Sequence, residues 1–153
     1  VTSATYRFAG GATIVLGHWD QNIQDAGEAF EAIADHQKKI WQKQFAQEGR
    51  YTGAAWSPLS PPYARWKAKN YPGKPILQRT GKLMESMTQR PFGIDEITDK
   101  SMTIGTDVPY AQYHQRGTEH MPARPLIGPP PTSDVKVFAK IMQSWIVRRN
   151  VNV

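Results

Sequence analysis

The chain has 153 residues, with 19 Lys and Arg against 13 Asp and Glu for a formal charge of +6, and no cysteine. That length supports one domain able to bury roughly 68–70% of its unfolded surface without a metal or cross-link holding the core. The missing thiols exclude disulfides, thiolate zinc sites and cysteine nucleophiles, and no run approaches the ~20 apolar residues of a membrane span. A soluble, single-domain protein spanning residues 1–153 is the expectation.

The first 17 residues are rich in β-formers, "YRF" and then "ATIVL", divided by Gly10-Gly11. Phe8–Gly17 has the apolarity of a signal-peptide core but neither a basic cluster before it nor a small-residue cleavage site after it, so it reads as strand. A hairpin or two short strands is expected here. From Asp20 to Glu48 the pattern turns helical: Ile23, Ala26, Phe30, Ile33, Ala34, Ile40, Trp41 and Phe45 follow a period near 3.6, with Gln37 interrupting the stripe. Asp20 is the expected N-cap and Gly49 the C′ residue, and acids precede lysines along the segment as the helix dipole favours. Such a helix would be about 40 Å long.

Residues 49–79 carry five prolines and three glycines together with Tyr51, Trp56, Tyr63, Trp66 and Tyr71. Proline and glycine forbid long regular elements, yet a disordered linker is not normally so aromatic. An ordered loop is predicted, with a short helix over Pro62–Lys69. No acid occurs between Glu48 and Glu85, whereas Arg50, Arg65, Lys67, Lys69, Lys74, Arg79 and Lys82 all fall there. That is either a solvated basic loop or a surface facing a polyanion or acidic partner.

Thr80 is the expected cap of a second helix, "TGKLMESM", and Phe92–Thr106 reads as a short polar hairpin turning at Asp99-Lys100. Tyr110–Gln115 suits a helical turn ended by Gly117. After Pro129–Pro131, Ser133 is the expected cap of a last helix to about Arg149, with the stripe Val137, Phe138, Ile141, Met142, Trp145 and Ile146. The sum is an α+β fold, a long N-terminal helix and a C-terminal helix packed on a small antiparallel sheet.

Candidate chemistry is sparse. His114 and His120 are six apart with Gly117 between them, a poor spacing for two ligands on one helix face, although Glu119 could join a metal-dependent hydrolase site. The serines lack a nucleophile elbow, and Gly10-Gly11 precedes no phosphate-binding signature. No cofactor or metal is therefore expected, and no enzyme. Arg65, Trp66, Lys67, Lys69 and Tyr71 could combine phosphate contacts with stacking, but no nucleic-acid-binding motif accompanies them.

Three pieces in order carry a resemblance: "WSPLSPPYARWKAK" (56–69), "PILQRTGKLMESM" (75–87) and "IGTDVPYAQYHQRGTEHMPARPLIG" (104–128). Together they resemble the phage virion morphogenesis family, the tail-completion or neck proteins of tailed bacteriophages. The resemblance implies a non-enzymatic subunit of a ring, commonly a hexamer, at the junction of head and tail. Its implied partners are its own copies, head-closure or connector proteins on one side, and the tail terminator or tail tube on the other, with transient non-specific contact to genomic DNA and no membrane. Its implied location is the virion, after assembly in the host cytoplasm. A tail terminator or other tail component, or a small basic nucleic-acid-binding protein, are the alternatives.

Aromatic residues and arginine anchor protein interfaces. On that basis Trp56, Tyr63, Trp66, Tyr110, Tyr113, His114, Arg116 and Arg124 are expected at or beside subunit contacts. Arg65, Lys67, Lys69, Lys74, Arg79 and Lys82 are expected to face a DNA channel.

Overall fold

The structure, a computed structural model, describes residues 4–9, 11–16 and 25–150. Its elements run β1 (Ala4–Ala9), β2 (Gly11–Leu16), α1 (Gly27–Ala46), α2 (Pro61–Asn70), α3 (Lys82–Thr88), β3 (Ile94–Ile97), β4 (Met102–Gly105), α4 (Ala111–Arg116) and α5 (Thr132–Asn150). The four strands form one antiparallel sheet in the order β1-β2-β4-β3, two hairpins joined where β4 pairs with β2. The architecture is the α+β arrangement expected.

Helix α1 is shorter than its periodicity predicted. Asp25 has φ 66, outside the right-handed helical region, and the helix begins only after Ala26. The Ala26 N–H donates to the Asp99 carbonyl at 2.7 Å, so the β3–β4 turn satisfies a group at the helix start that side-chain capping would otherwise serve. Twenty residues give about 30 Å rather than 40. Asp20 and Ile23, and the predicted turn residue Gly10, lie outside the described residues.

At the other end the expected glycine falls one position later: the C-cap is Gln47, Glu48 with φ 46 is the C′ residue, and Gly49 follows it. Gly49, φ 94, donates its N–H to the Gln44 carbonyl at 2.9 Å. A β-carbon on Gly49 would lie 2.5 Å from the indole of Trp56, so glycine is required by space as well as by conformation.

The core lies along one face of α1. Phe30, Ile33, Ala34, Ile40, Trp41 and Phe45 are buried, and Gln37, which looked like an interruption, is buried with them. Trp41 meets Phe92 edge-on at 5.0 Å and Phe45 meets Trp56 edge-on at 5.5 Å. Leu83 and Met87 of α3, Met102 and Ile104 of β4, and Met142 and Trp145 of α5 complete the same cluster.

Two caps differ from expectation. Gly81, φ 86, occupies the N-cap of α3 in place of Thr80, and α5 starts at Thr132, which puts Ser133 inside the helix. Ile146, expected in the buried stripe of α5, is 40% exposed.

Two polar clusters tie the layers together. Arg90 lays its guanidinium across Asp95, with Nε and Nη2 each 3.0 Å from a carboxylate oxygen, and reaches Glu31 at 2.7 Å and Asp35 at 3.2 Å on α1. Burial alone would lower its pKa, but the three carboxylates outweigh that and raise it. Asp134, in the first turn of α5, accepts from His36 Nε2 and from the Tyr51 hydroxyl, each at 2.7 Å.

Candidate functional site

The segment 110–128 is a joint whose backbone groups find partners without a sheet. Gln115, projecting from α4, accepts the N–H groups of Leu126 (2.8 Å) and Ile127 (3.0 Å) on its Oε1 and donates Nε2–H to the Ile127 carbonyl at 2.7 Å. One amide side chain thus serves three loop groups that would otherwise be unpaired. The Pro125 carbonyl accepts from Trp56 Nε1 at 2.7 Å and Gln44 Nε2 at 3.1 Å. Between these anchors the chain reverses at Gly117, φ 77, where a β-carbon would sit 2.8 Å from the Ala123 nitrogen, and Thr118 pairs with Met121.

This joint forms one wall of a cleft of about 820 Å³. The opposite walls are α2, through Tyr63 and Lys67, and the 77–83 segment, through Leu77, Arg79 and Leu83. Tyr110, Tyr113, His114, His120 and Met121 line the joint side. Tyr63, Trp66, Tyr110 and Tyr113 are each 39–52% exposed, a high value for large aromatic rings in one neighbourhood. Tyr63 and Trp66, three apart on α2, stack at 5.5 Å, Trp66 leans on Tyr71 at 5.7 Å, and Arg79 lies over the Tyr71 ring at 5.8 Å.

Three predicted surface residues are internal instead. Trp56 is 5% exposed because its indole fills the space above Gly49 and beside Phe45. Arg124 is also 5% exposed, its Nε and Nη2 donating to the carbonyls of Ser57 (2.7 Å) and Pro58 (2.9 Å). Its partner is therefore a loop of its own chain. Lys67 is the one buried side chain of α2; its ammonium docks on the Pro75 carbonyl, so it faces inward, not toward a channel. Burial lowers the Lys67 pKa, partly offset by Glu48.

The remaining expected positions, Arg65, Lys69, Lys74, Arg79, Lys82 and Arg116, are exposed. His114 is half-buried under Tyr110, whose ring meets it edge-on at 6.0 Å. Burial first, then the charge of Arg124, push its pKa below the ordinary histidine value. Its Nδ1 is buried and has no hydrogen-bond partner among the described residues.

The cleft brings His114 and His120 to one site without Glu119 among its lining residues. No group of three or more His, Asp or Glu side chains among the described residues could hold a metal, and no described helix is long and apolar enough to cross a membrane. Among the described residues, no hydroxyl lining the cleft is hydrogen-bonded to the imidazole of His114 or His120.

The model of the phage virion morphogenesis family matches residues 12–146, nearly the whole chain and all of the cleft. The chain belongs to the phage virion morphogenesis family. It is similar to the Mu-like prophage FluMu G protein 1 of Haemophilus influenzae, 28% identical over 107 residues, which cover 69% of this chain and 70% of that protein. No solved structure gives a significant match. A role in phage virion morphogenesis follows from membership, and the tyrosine-lined cleft and its joint are part of the matched family region.

Proposed function

We propose that the chain is a structural subunit of the head–tail junction, a ring component, hexameric by the resemblance, that joins the capsid connector or head-closure proteins to the tail terminator or tail tube. The role is non-enzymatic and the place of action is the virion. The observation that carries this reading is the exposed aromatic surface of Tyr63, Tyr110 and Tyr113 lining one cleft, with Trp66 stacked on Tyr63, in a protein of this family. Rings of this kind have heterologous contacts and two distinct faces, and exposed tyrosine and tryptophan are the side chains that anchor such contacts. The exposed Arg65, Lys69, Lys74, Arg79 and Lys82 suit a lumen that passes DNA without gripping it, since their charge is diffuse and reads no base.

The test is complementation of a phage lacking this protein with Trp66→Ala and Tyr113→Ala variants. Separate heads and tails in electron micrographs are the expected outcome for both. Normal virion yields from both would overturn the proposal. A ring of this protein found within the tail rather than at the neck would make it a tail terminator or another tail component.

The stacked Tyr63–Trp66 pair beside Arg65 and Lys69 favours one further reading, a nucleic-acid-binding accessory protein. Salt-dependent affinity of the isolated protein for DNA would support it, and absence of binding at ~50 mM salt would exclude it.

A further inference from the structure

The cleft holds an electrostatic imbalance. Arg124 is buried, yet it donates only to carbonyl oxygens, and no carboxylate forms an ion pair with it among the described residues. Arginine is rarely buried without a counter-charge, because carbonyl dipoles replace only part of its lost hydration. Lys67 is a second buried cation lining the cleft, docked on a carbonyl and only partly balanced by the charge of Glu48. Arg79 adds a third cation, and none of the residues lining the cleft is acidic. Beside them His114 Nδ1 is buried and unpaired. An open volume of about 820 Å³ next to these groups is large enough for several residues of a peptide.

We propose that the cleft is a docking site for an extended segment of a partner protein that carries an acidic side chain between apolar residues. The carboxylate pairs with the cations lining the cleft, Arg124 on the joint wall and Arg79 on the facing one. The flanking apolar side chains lie against Leu59, Leu77, Leu83 and Met121, which come from three separate segments of the chain. The occupant is internal peptide, since apolar walls from several directions suit side chains on both sides of the acid. It belongs to a different protein, because a chain of net charge +6 is a poor complement to its own cationic cleft. Double-stranded DNA is a poorer occupant, because two of the three cations, Arg124 and Lys67, are buried and already donate to carbonyls.

This inference rests on the assembly role proposed above, but its test is separable: binding is measured on the isolated full-length protein, and assembly on particles. The probe is the acetylated, amidated tetrapeptide Leu-Glu-Leu-Pro, followed by the His114 imidazole signal in NMR. The Gln-containing counterpart, acetyl-Leu-Leu with a free carboxylate, and hexathymidylate are run beside it. The Glu peptide is expected to bind about tenfold more tightly than the Gln peptide, and to raise the His114 titration midpoint by bringing a negative charge beside it. Arg79→Gln, an exposed substitution with the fold checked by its melting curve, should remove most of that difference. Tyr113→Ala should weaken both peptides alike.

Equal binding of the Glu and Gln peptides, or no binding of either at about 5 mM, would overturn the proposal. So would tighter binding of hexathymidylate, which would assign the cleft to single-stranded nucleic acid, or of the free-terminus peptide, which would assign it to a chain end. Self-association abolished by Tyr113→Ala would assign it to a second copy of this chain and overturn it equally.

Discussion

Replacing Asp134 with alanine should loosen α5 from the rest of the fold. The carboxylate is 4% exposed and accepts two bonds of 2.7 Å, one from His36 on α1 and one from Tyr51 in the loop after it. Lys43 steadies that arrangement by donating to the Tyr51 hydroxyl at 3.1 Å. A hydrogen bond to a charged group contributes about 1.5–3 kcal/mol, and an acid in the first turn of a helix adds about 0.3–1 kcal/mol through the dipole. The terms do not add fully, because the half-buried Tyr51 and His36 can turn to water once the acceptor is gone. The expected loss is about 3 kcal/mol, or a fall in Tm of roughly 6–12 °C for a chain of this size.

Asp134→Asn separates charge from shape. It keeps an acceptor for Tyr51 but places either an amide or a weaker oxygen opposite His36, so about half the loss is expected. The pH dependence supplies an independent check. Burial alone would raise the Asp134 pKa, but the bonds from Tyr51 and His36, with the nearby charges of His36 and Lys43, hold it below the ordinary aspartate value. A depressed folded pKa means stability that is fully present above about pH 4, the unfolded value, and lost as pH falls through the lower folded value. Urea unfolding of wild type and Asn variant at pH 7 and at about pH 3 should therefore show a gap that narrows in acid. An Ala variant within about 0.5 kcal/mol of wild type, or a gap indifferent to pH, would refute the account of this clamp.

Three further outcomes follow from the same geometry. Gly49→Ala should cost about 2 kcal/mol or more in urea unfolding, since the new methyl meets the Trp56 indole at 2.5 Å and the residue must keep φ 94. Arg90→Lys should lower stability by about 1–2 kcal/mol, because an ammonium cannot reproduce the two-pronged contact with Asp95, whereas Glu31→Gln, at a position 54% exposed, should stay within about 0.5 kcal/mol. Gln115→Ala should speed amide hydrogen exchange at Leu126 and Ile127 by about tenfold or more, as both N–H groups lose their shared acceptor; unchanged exchange there would remove the side chain from its assigned role.

Much of the scaffold was legible in the residues. The α1 stripe from Phe30 to Phe45 is buried as its period indicates, α2 falls within one residue of its predicted ends, and the hairpin turns at Asp99-Lys100. The start of α1 was not legible, because what ends it is a backbone contact from Ala26 to a turn more than seventy residues away. Trp56, Lys67 and Arg124 are buried where exposure was expected, for a common reason. Their chemistry suits an exposed contact, but each donates to carbonyls of its own chain: Trp56 to Pro125, Lys67 to Pro75 eight residues on, and Arg124 to Ser57 and Pro58. Residue type gives the appetite for a hydrogen bond and says nothing of where the acceptor stands. Gln115 was missed altogether. The available signal was indirect: Leu126 and Ile127 follow Pro125 in a segment without strand character, so their N–H groups needed a partner from elsewhere.

Gln115 and the backbone of Arg124 explain how the surface proposed for docking is exposed and still ordered. Tyr110 and Tyr113 gain little from their own burial, so their positions must be set from beneath, by Gln115 on one side of α4 and by the Arg124 N–H donating to the His114 carbonyl at 2.6 Å on the other. A surface held this way loses little conformational entropy on binding, which is where preorganised interfaces gain affinity. Anchoring and docking then fall on different side chains of one short stretch. Tyr113→Ala should leave the melting temperature unchanged while impairing assembly, whereas Gln115→Ala should impair assembly only by loosening the joint. A stabilising condition, such as an added osmolyte, should therefore rescue the Gln115 variant and not the Tyr113 variant. Rescue of both, or of neither, would show that the two residues do not divide the work in this way.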